Sequence, residues 1–559
     1  MIDTELGVGF EGLRKLAKRW LKAIRGGDLD ARAKFDALVS QHSTAIGLRE
    51  VQQALARQRG FASWASLKEH FELEGLAANR AALRDEFLHK ACIGRSDDGP
   101  GNWKRAARIL ARHPELAREN IYSAVLCGEL ERVQELLDAD PKSVNQKGGT
   151  SSWEPLLFLC YCRLPNERAA KNSLAVARLL LDRGADPNAY FIGDGGDAQS
   201  QYRFTALTGV MGQGELAQPE HPEAKALAHL LLEAGADAND SQALYNTCLR
   251  GDEARWLELL FEFGLDNRTV NWATDPHAPS EKRPGNLDFI VVHAAANGQM
   301  TRLEFLLAHG ADPNAVSSYT GKTCYESALL AGHDEAAALL VKYGAGVKPL
   351  EGLDAFIAAS SRGDRRTAEE LVRRDPEYLE DTQPLVLAAG HGNREAVRIL
   401  LELGMNPNRP GKHDYLALNN GASHRAVCEL LLAHGADPRG RTYNATAAGW
   451  ALHRKEAEMG RFLAEKSRLL LDACMTGHVA LARELLASDP SCVRERSPVG
   501  STPLHLLPED VDLAEELIDL LLAHGADSNA KNDAGQTPRE ALEANGHDEI
   551  ADRLDARSS

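Results

Sequence analysis

Aromatic residues are scarce: Phe, Trp and Tyr make up 6% of the 559 residues, which favours helices built on Leu and Ala. No apolar run approaches the roughly 20 residues that cross a bilayer. The strongest is the short stretch 156–162. The opening Met1-Ile2-Asp3-Thr4-Glu5 lacks the basic and apolar segments of a secretion signal. Cysteines number nine, and only Cys160 and Cys162 lie close together, as Cys-x-Cys and not as the Cys-x-x-Cys pairs of zinc sites. Scattered thiols without an export signal predict a reducing, cytoplasmic setting and no metal. Positive charge is also in deficit. With 64 Lys+Arg against 81 Asp+Glu the net charge is −17, which argues against a dedicated nucleic-acid binder.

What remains is an ordinary globular composition, 43% hydrophobic and 26% charged, so disorder over the whole length is excluded. Length alone suggests three or four domains at about 150 residues each. Self-similarity replaces that count. A phrase of the type Leu-Leu-x-x-Gly-Ala-Asp-x-Asn stands at 180–188 and recurs around Gly235, Gly310, Gly435 and Gly525, with degenerate copies at Gly264, Gly344 and Gly404. The Leu pair is the buried face of a helix. Gly ends that helix in the left-handed conformation, and Asp, Pro and Asn build a turn. A shorter helix rich in small residues precedes each copy, as in Leu387-Ala388-Ala389-Gly390. In a second form Asp-Pro replaces Gly-Ala-Asp, at Asp140-Pro141, Asp375-Pro376 and Asp489-Pro490, and His113-Pro114 looks like a fourth case. Here proline stops the helix.

These features resemble the ankyrin repeat, a unit of about 33 residues with two antiparallel helices and a β-turn finger. Thr502-Pro503-Leu504-His505 matches its opening signature best: Thr can cap the helix, Pro takes the first helical position, and His can bridge to neighbouring backbone. The resemblance covers residues 83–557, roughly 14 units at that period. It implies an all-α solenoid of stacked helix pairs.

Residues 1–75 do not fit the repeat. Three helices are predicted around 13–24, 29–39 and 48–59, and a fourth opens with Ser63 as N-cap. The phrase from Leu48 to Lys68 resembles a small helical module that precedes ankyrin arrays in bacterial proteins. This segment carries 12 basic against 10 acidic side chains, whereas the last 51 residues hold 14 acidic and 4 basic. Such a charged end unit suits a solenoid whose last repeat has no neighbour.

Three fingers exceed what the unit needs: 148–153, 190–204 and 269–287. Long insertions of this kind map to one face of a repeat array, often the binding face. They bring Trp153, Tyr190, Phe191, Tyr202, Phe204 and Trp272 into one region. Thirteen of the 32 aromatics fall between Trp153 and Phe289, where an even spread over that quarter of the chain predicts about eight. These six residues are the expected partner surface, with the alternative that the rings cover the insertions' own small cores.

Other candidates carry less. The basic residues of the first helix (Arg14, Lys15, Lys18, Arg19, Lys22, Arg25) suit an acidic partner or nucleic acid, or simply a solvated face opposite Leu13, Leu16 and Trp20. Asp194 and Asp197 lack the alternating ligands and final Glu of an EF-hand. Gly321-Lys322-Thr323 lacks the first Gly of a phosphate-binding loop, because position 316 is Val316. His309, His434 and His524 recur before the helix-ending Gly, and a residue that serves every unit serves its fold.

The expected function is therefore non-catalytic binding of a protein, through the fingers and concave face, by a cytoplasmic scaffold, with a monomer expected and no cofactor. The acidic array predicts a partner with a basic surface and no membrane association. The alternative is an enzyme with its site in the enlarged fingers at 190–290, using Asp194, Asp197, Asp275 and His277.

Overall fold

The repeated Gly positions show how local chemistry sets the architecture. Gly184, Gly235, Gly264, Gly310, Gly344, Gly404, Gly435 and Gly525 all adopt φ between +83° and +101°. A Cβ on any of them would meet nothing within 4 Å. It is the backbone angle and not crowding that demands glycine at each helix end. His309, His434 and His524, one residue earlier, bring Nδ1 to the carbonyls of Phe305, Leu430 and Leu520 at 2.7, 2.9 and 2.8 Å, satisfying helix-end acceptors.

The computed structural model describes residues 9–38, 46–61, 63–93, 100–193, 202–214, 218–249, 251–267, 285–545, 547, 550–551 and 553–554. The chain divides into two compact units, Met1–Asn286 and Leu287–Ser559.

In the first unit, α1 (Phe10–Arg25), α2 (Leu29–Asp36), α3 (Leu48–Gln58) and α4 (Trp64–Ala77) form a helical group. Leu13, Ala17, Trp20, Phe35, Val51, Leu55 and Leu67 give it a core of its own. The Trp20 indole donates to the Ala31 carbonyl at 2.9 Å, fixing α1 on α2. Ser63 caps α4 through the Ser66 amide at 3.0 Å. Lys15, Lys18, Arg19, Lys22 and Arg25 are exposed on α1, away from the buried Leu13, Leu16 and Trp20.

Helix pairs follow, joined by fingers. Neighbouring fingers are stitched by asparagine. The Asn145 amide donates to Gly184 O at 2.7 Å and its oxygen accepts from Asp186 N at 3.0 Å. Asn188 does the same for Gly235 and Asp237, and Asn239 for Gly264 and Asp266. This explains the Asn of the recurring phrase: each repeat's finger satisfies the next repeat's helix end. The finger at 190–204 closes as an antiparallel hairpin of β1 (Tyr190–Gly193) and β2 (Tyr202–Thr205), with Phe191 opposite Phe204 and Ile192 opposite Arg203.

The second unit repeats the plan. Asn314 and Asn408 make the same two bonds to the next turns. A continuous core runs from Phe356 to Leu554. Where Asp-Pro replaces Gly, Asp375 and Asp489 cap short 3₁₀ turns by accepting from Glu377 N and Ser491 N at 3.2 and 2.9 Å, as Asp140 does for Lys142 in the first unit. His505 bridges repeats, with Nε2 3.0 Å from Gln536 O and Nδ1 accepting from Thr502 N at 3.1 Å.

Candidate functional site

The hairpin sorts its residues by face. Phe191 and Phe204, paired across the strands, stack at 5.3 Å and 15°. Phe191 in turn stacks on Trp153 at 4.6 Å and meets the edge of Tyr161 at 5.2 Å. Trp153 also packs on Phe158 and Tyr161. Trp153 is only 6% exposed. It is the floor of a small aromatic core and not an exposed anchor, which corrects its place in the expected surface. The opposite face carries Tyr190 and Ile192, 37% and 42% exposed, with Arg203 over the Tyr190 ring at 4.7 Å. Alternation along a strand forces this split. Tyr202 is placed by its backbone, paired with Gly193. The Tyr202 side chain, Trp272 and the enzyme candidates Asp194, Asp197, Asp275 and His277 lie outside the described residues.

Beneath the hairpin the polar groups are committed to structure. The buried Tyr161 hydroxyl donates to Thr205 O at 2.9 Å, and burial holds its phenol well above the ordinary range. Asp240 accepts from the Thr205 and Thr208 hydroxyls and from the Gln242 and Ala243 amides at the start of helix Ser241–Cys248. Burial nonetheless raises its carboxyl.

The buried Arg163 uses its guanidinium as a clip. It donates to the carbonyls of Cys160, Cys162, Gly209 and Pro219 at 2.8–3.2 Å, tying Gly209 and Pro219 to the end of helix Pro155–Tyr161. Burial lowers it to about 10. The neighbouring His221 is pushed down to about 3 by burial and by Arg163, so its imidazole is neutral and accepts from Glu223 N at 3.0 Å. Burial raises the thiols of Cys127 and Cys162 to about 12 and 11. Among the described residues no group of three or more His, Cys, Asp or Glu could hold a metal ion.

A second aromatic group, in fingers 411–416 and 440–446 of the second unit, escapes the sequence reading. Tyr443 is 62% exposed and stands edge-on to Tyr415 at 5.3 Å, and both rings lie near Trp450, at 6.4 and 5.7 Å. The two fingers are tied together. Thr442 Oγ1 accepts from Leu416 N at 3.1 Å, and the Asn419 amide donates to Gly440 O and Ala445 O at 3.3 and 3.0 Å. The signal that could have revealed it is Arg439-Gly440-Arg441-Thr442-Tyr443-Asn444, a basic turn in an acidic chain.

A family match covers part of this region. Residues 355–442 match the model of ankyrin repeats (3 copies). A relative from Escherichia coli (strain K12) described as an ankyrin repeat protein, YahD, is 36% identical over 88 residues, 15% of this chain and 44% of the relative. Over residues 355–442 the chain carries ankyrin repeats. Its match spans less than half the length of that relative. The helix pairs, Gly ends and asparagine stitching are thus the working parts of an all-α ankyrin array. No helix among the described residues is long and apolar enough to cross a membrane.

Proposed function

We propose that this ankyrin array is a non-catalytic scaffold that binds a protein partner through its fingers and the helices behind them. Ankyrin repeats are generally protein-interaction modules. The observation that carries the reading is the outer face of the hairpin. Tyr190, Ile192 and Arg203 are held outward by a rigid aromatic floor, so a partner meets preorganised side chains and little ordering entropy is lost. The excess of 17 negative charges favours a basic partner surface, with a salt-sensitive on-rate. The scaffold acts as a cytoplasmic monomer.

Affinity capture from the native cell, comparing wild type with a Tyr190→Ser/Ile192→Ser variant, tests this. Loss of a captured protein at unchanged melting temperature is the expected result. An identical set of captured proteins sinks the hairpin as the binding face.

A further inference from the structure

The paired fingers of the second unit carry a local excess of positive charge. That unit holds 41 Asp+Glu against 28 Lys+Arg, yet residues 409–455 within it hold seven Lys and Arg against three Asp and Glu. Outside it several arginines pair with glutamates, Arg365 and Arg398 with Glu402, Arg483 with Glu516 and Arg539 with Glu543, while Arg461 and Arg496 donate to carbonyls; inside it Arg425 pairs with Glu429. Arg409, at the edge of the patch, pairs with Glu380.

Lys412, Arg439, Arg441, Arg454 and Lys455 form no ion pair among the described residues. Three of them are held by neutral acceptors. Arg439 Nε donates to Ser467 O at 2.9 Å, Arg441 Nη1 to Asn444 O at 2.8 Å, and Arg454 Nη1 to Asn420 O at 2.9 Å. Such bonds orient a guanidinium without cancelling its charge. Two carboxylates lie near enough to act on these arginines through space, Asp472 on Arg439 and Arg441 and Glu495 on Arg439, but neither forms an ion pair with them among the described residues.

The aromatic group sits among these cations. Thr442 and Ala445 exchange both backbone hydrogen bonds at 3.0 Å, so Tyr443 and Asn444 are the two central residues of the tightest hairpin turn. Their φ values are +47° and +68°. Asn tolerates the left-handed region; Tyr does not readily, and Gly is the usual residue. A strained, exposed tyrosine locked edge-on against Tyr415 is a feature the fold does not need, and strain of this kind gathers at binding sites.

We propose that the patch of Lys412, Arg439, Arg441, Arg454 and Tyr443 docks a short acidic peptide segment of a partner protein. Carboxylates accept from the remaining guanidinium and ammonium N–H groups, and an apolar side chain of the peptide lies on the exposed Tyr443 ring. Charge complementarity chooses the anion. The surrounding acidic surface chooses a short one, since screening is incomplete within about 8–10 Å and a longer polyanion would run into it. The edge-on and tilted rings offer no parallel platform for successive nucleobases. This inference rests on the reading of the array as a binding scaffold and adds a second, oppositely charged surface to it.

Fluorescence anisotropy on the full chain tests it, using a short fluorescein-labelled peptide of Glu residues around a central Phe. Its Gln and Lys counterparts and an oligothymidylate of similar length are the comparison probes. The Glu peptide is expected to bind tightest of the Glu, Gln and oligothymidylate probes and to weaken as salt rises. An Arg439→Gln/Arg441→Gln variant and a Tyr443→Gly variant are each expected to bind it about tenfold more weakly. Tyr443→Gly should do so with an unchanged or raised melting temperature, which separates lost docking from lost folding. Equal affinity for Glu and Gln peptides, wild-type affinity in both variants, or tighter binding of oligothymidylate would each overturn the proposal. If the Glu peptide fails while the Tyr190/Ile192 substitutions still abolish capture, this inference alone falls. If both fail, the scaffold reading falls with it.

Discussion

The hairpin of the first unit and the fingertips of the second use the same residue types to opposite ends. At 190–205 the finger folds back on itself, so Phe204 stacks on Phe191 and Phe191 on Trp153, while Tyr190, Ile192 and Arg203 look outward. At 442–445 the finger is a two-residue turn. It has no chain with which to cover Tyr443, and the ring stays in solvent. Cations follow the same division. Arg163 is buried and every N–H of its guanidinium is spent on carbonyls, whereas Arg439 and Arg441 are fixed by one bond each. An insertion's length is therefore a poor guide to what it offers a partner. A long one can build a private core; a short one cannot.

The largest expected effect tests the inward side of this contrast. Trp153→Ala should cost about 3–5 kcal/mol, the range for truncating a large buried aromatic, read as a lower denaturation midpoint of the first unit. A change below about 1 kcal/mol would mean that the stack is not a core. Arg163→Met strands several buried carbonyls, each worth about 1–3 kcal/mol. Destabilisation of roughly 3 kcal/mol or more is expected, confined to the transition that reports the first unit.

Acid should sharpen the comparison further. His221 has its pKa lowered to about 3 in the fold against 6.5 unfolded. The stabilisation this represents is fully present above 6.5 and is lost as pH falls from 6.5 toward 3. At one and a half pH units below 6.5 the loss is about 2 kcal/mol, at 1.36 kcal/mol per unit. His221→Asn keeps an acceptor for Glu223 N and removes the titration, so its denaturation midpoint should change less between pH 7 and pH 5. An identical pH slope in both proteins would show that another group carries the acid sensitivity.

The smallest expected effect is at the fingertip. In Tyr443→Gly, relief of the left-handed backbone gains about 1–2 kcal/mol. Removing the ring's edge-on packing against Tyr415 costs about 0.5–1.5 kcal/mol. Stability should therefore stay near or slightly above the wild-type value in chemical denaturation. A decrease comparable to that of Trp153→Ala would erase the distinction between the two regions.

Much of the array was legible because its rules are local. The helix ends at Gly184 or Gly435 follow from φ, the Ser63 cap from a side chain reaching three residues on, and the capping turns at Asp375 and Asp489 from the same logic. The site was only partly legible. Counting aromatics drew attention to 153–289, but a count cannot tell Trp153 in the floor from Tyr190 on the outer face. The set Tyr415, Tyr443 and Trp450 gives no such signal, because the two tyrosines lie in fingers of ordinary length and Trp450 in helix Ala447–His453.

The sequence by itself determined the repeat, its all-helical units and the turn chemistry, because 3.6-residue periodicity and backbone angles act within a few residues. It also determined the net charge. Only the tertiary structure decided which rings are covered and which cations find a carboxylate. Those outcomes depend on groups about 25 to 60 residues away, such as Pro219 for Arg163, Thr442 for Leu416 and Ser467 for Arg439, brought within hydrogen-bonding distance by stacking.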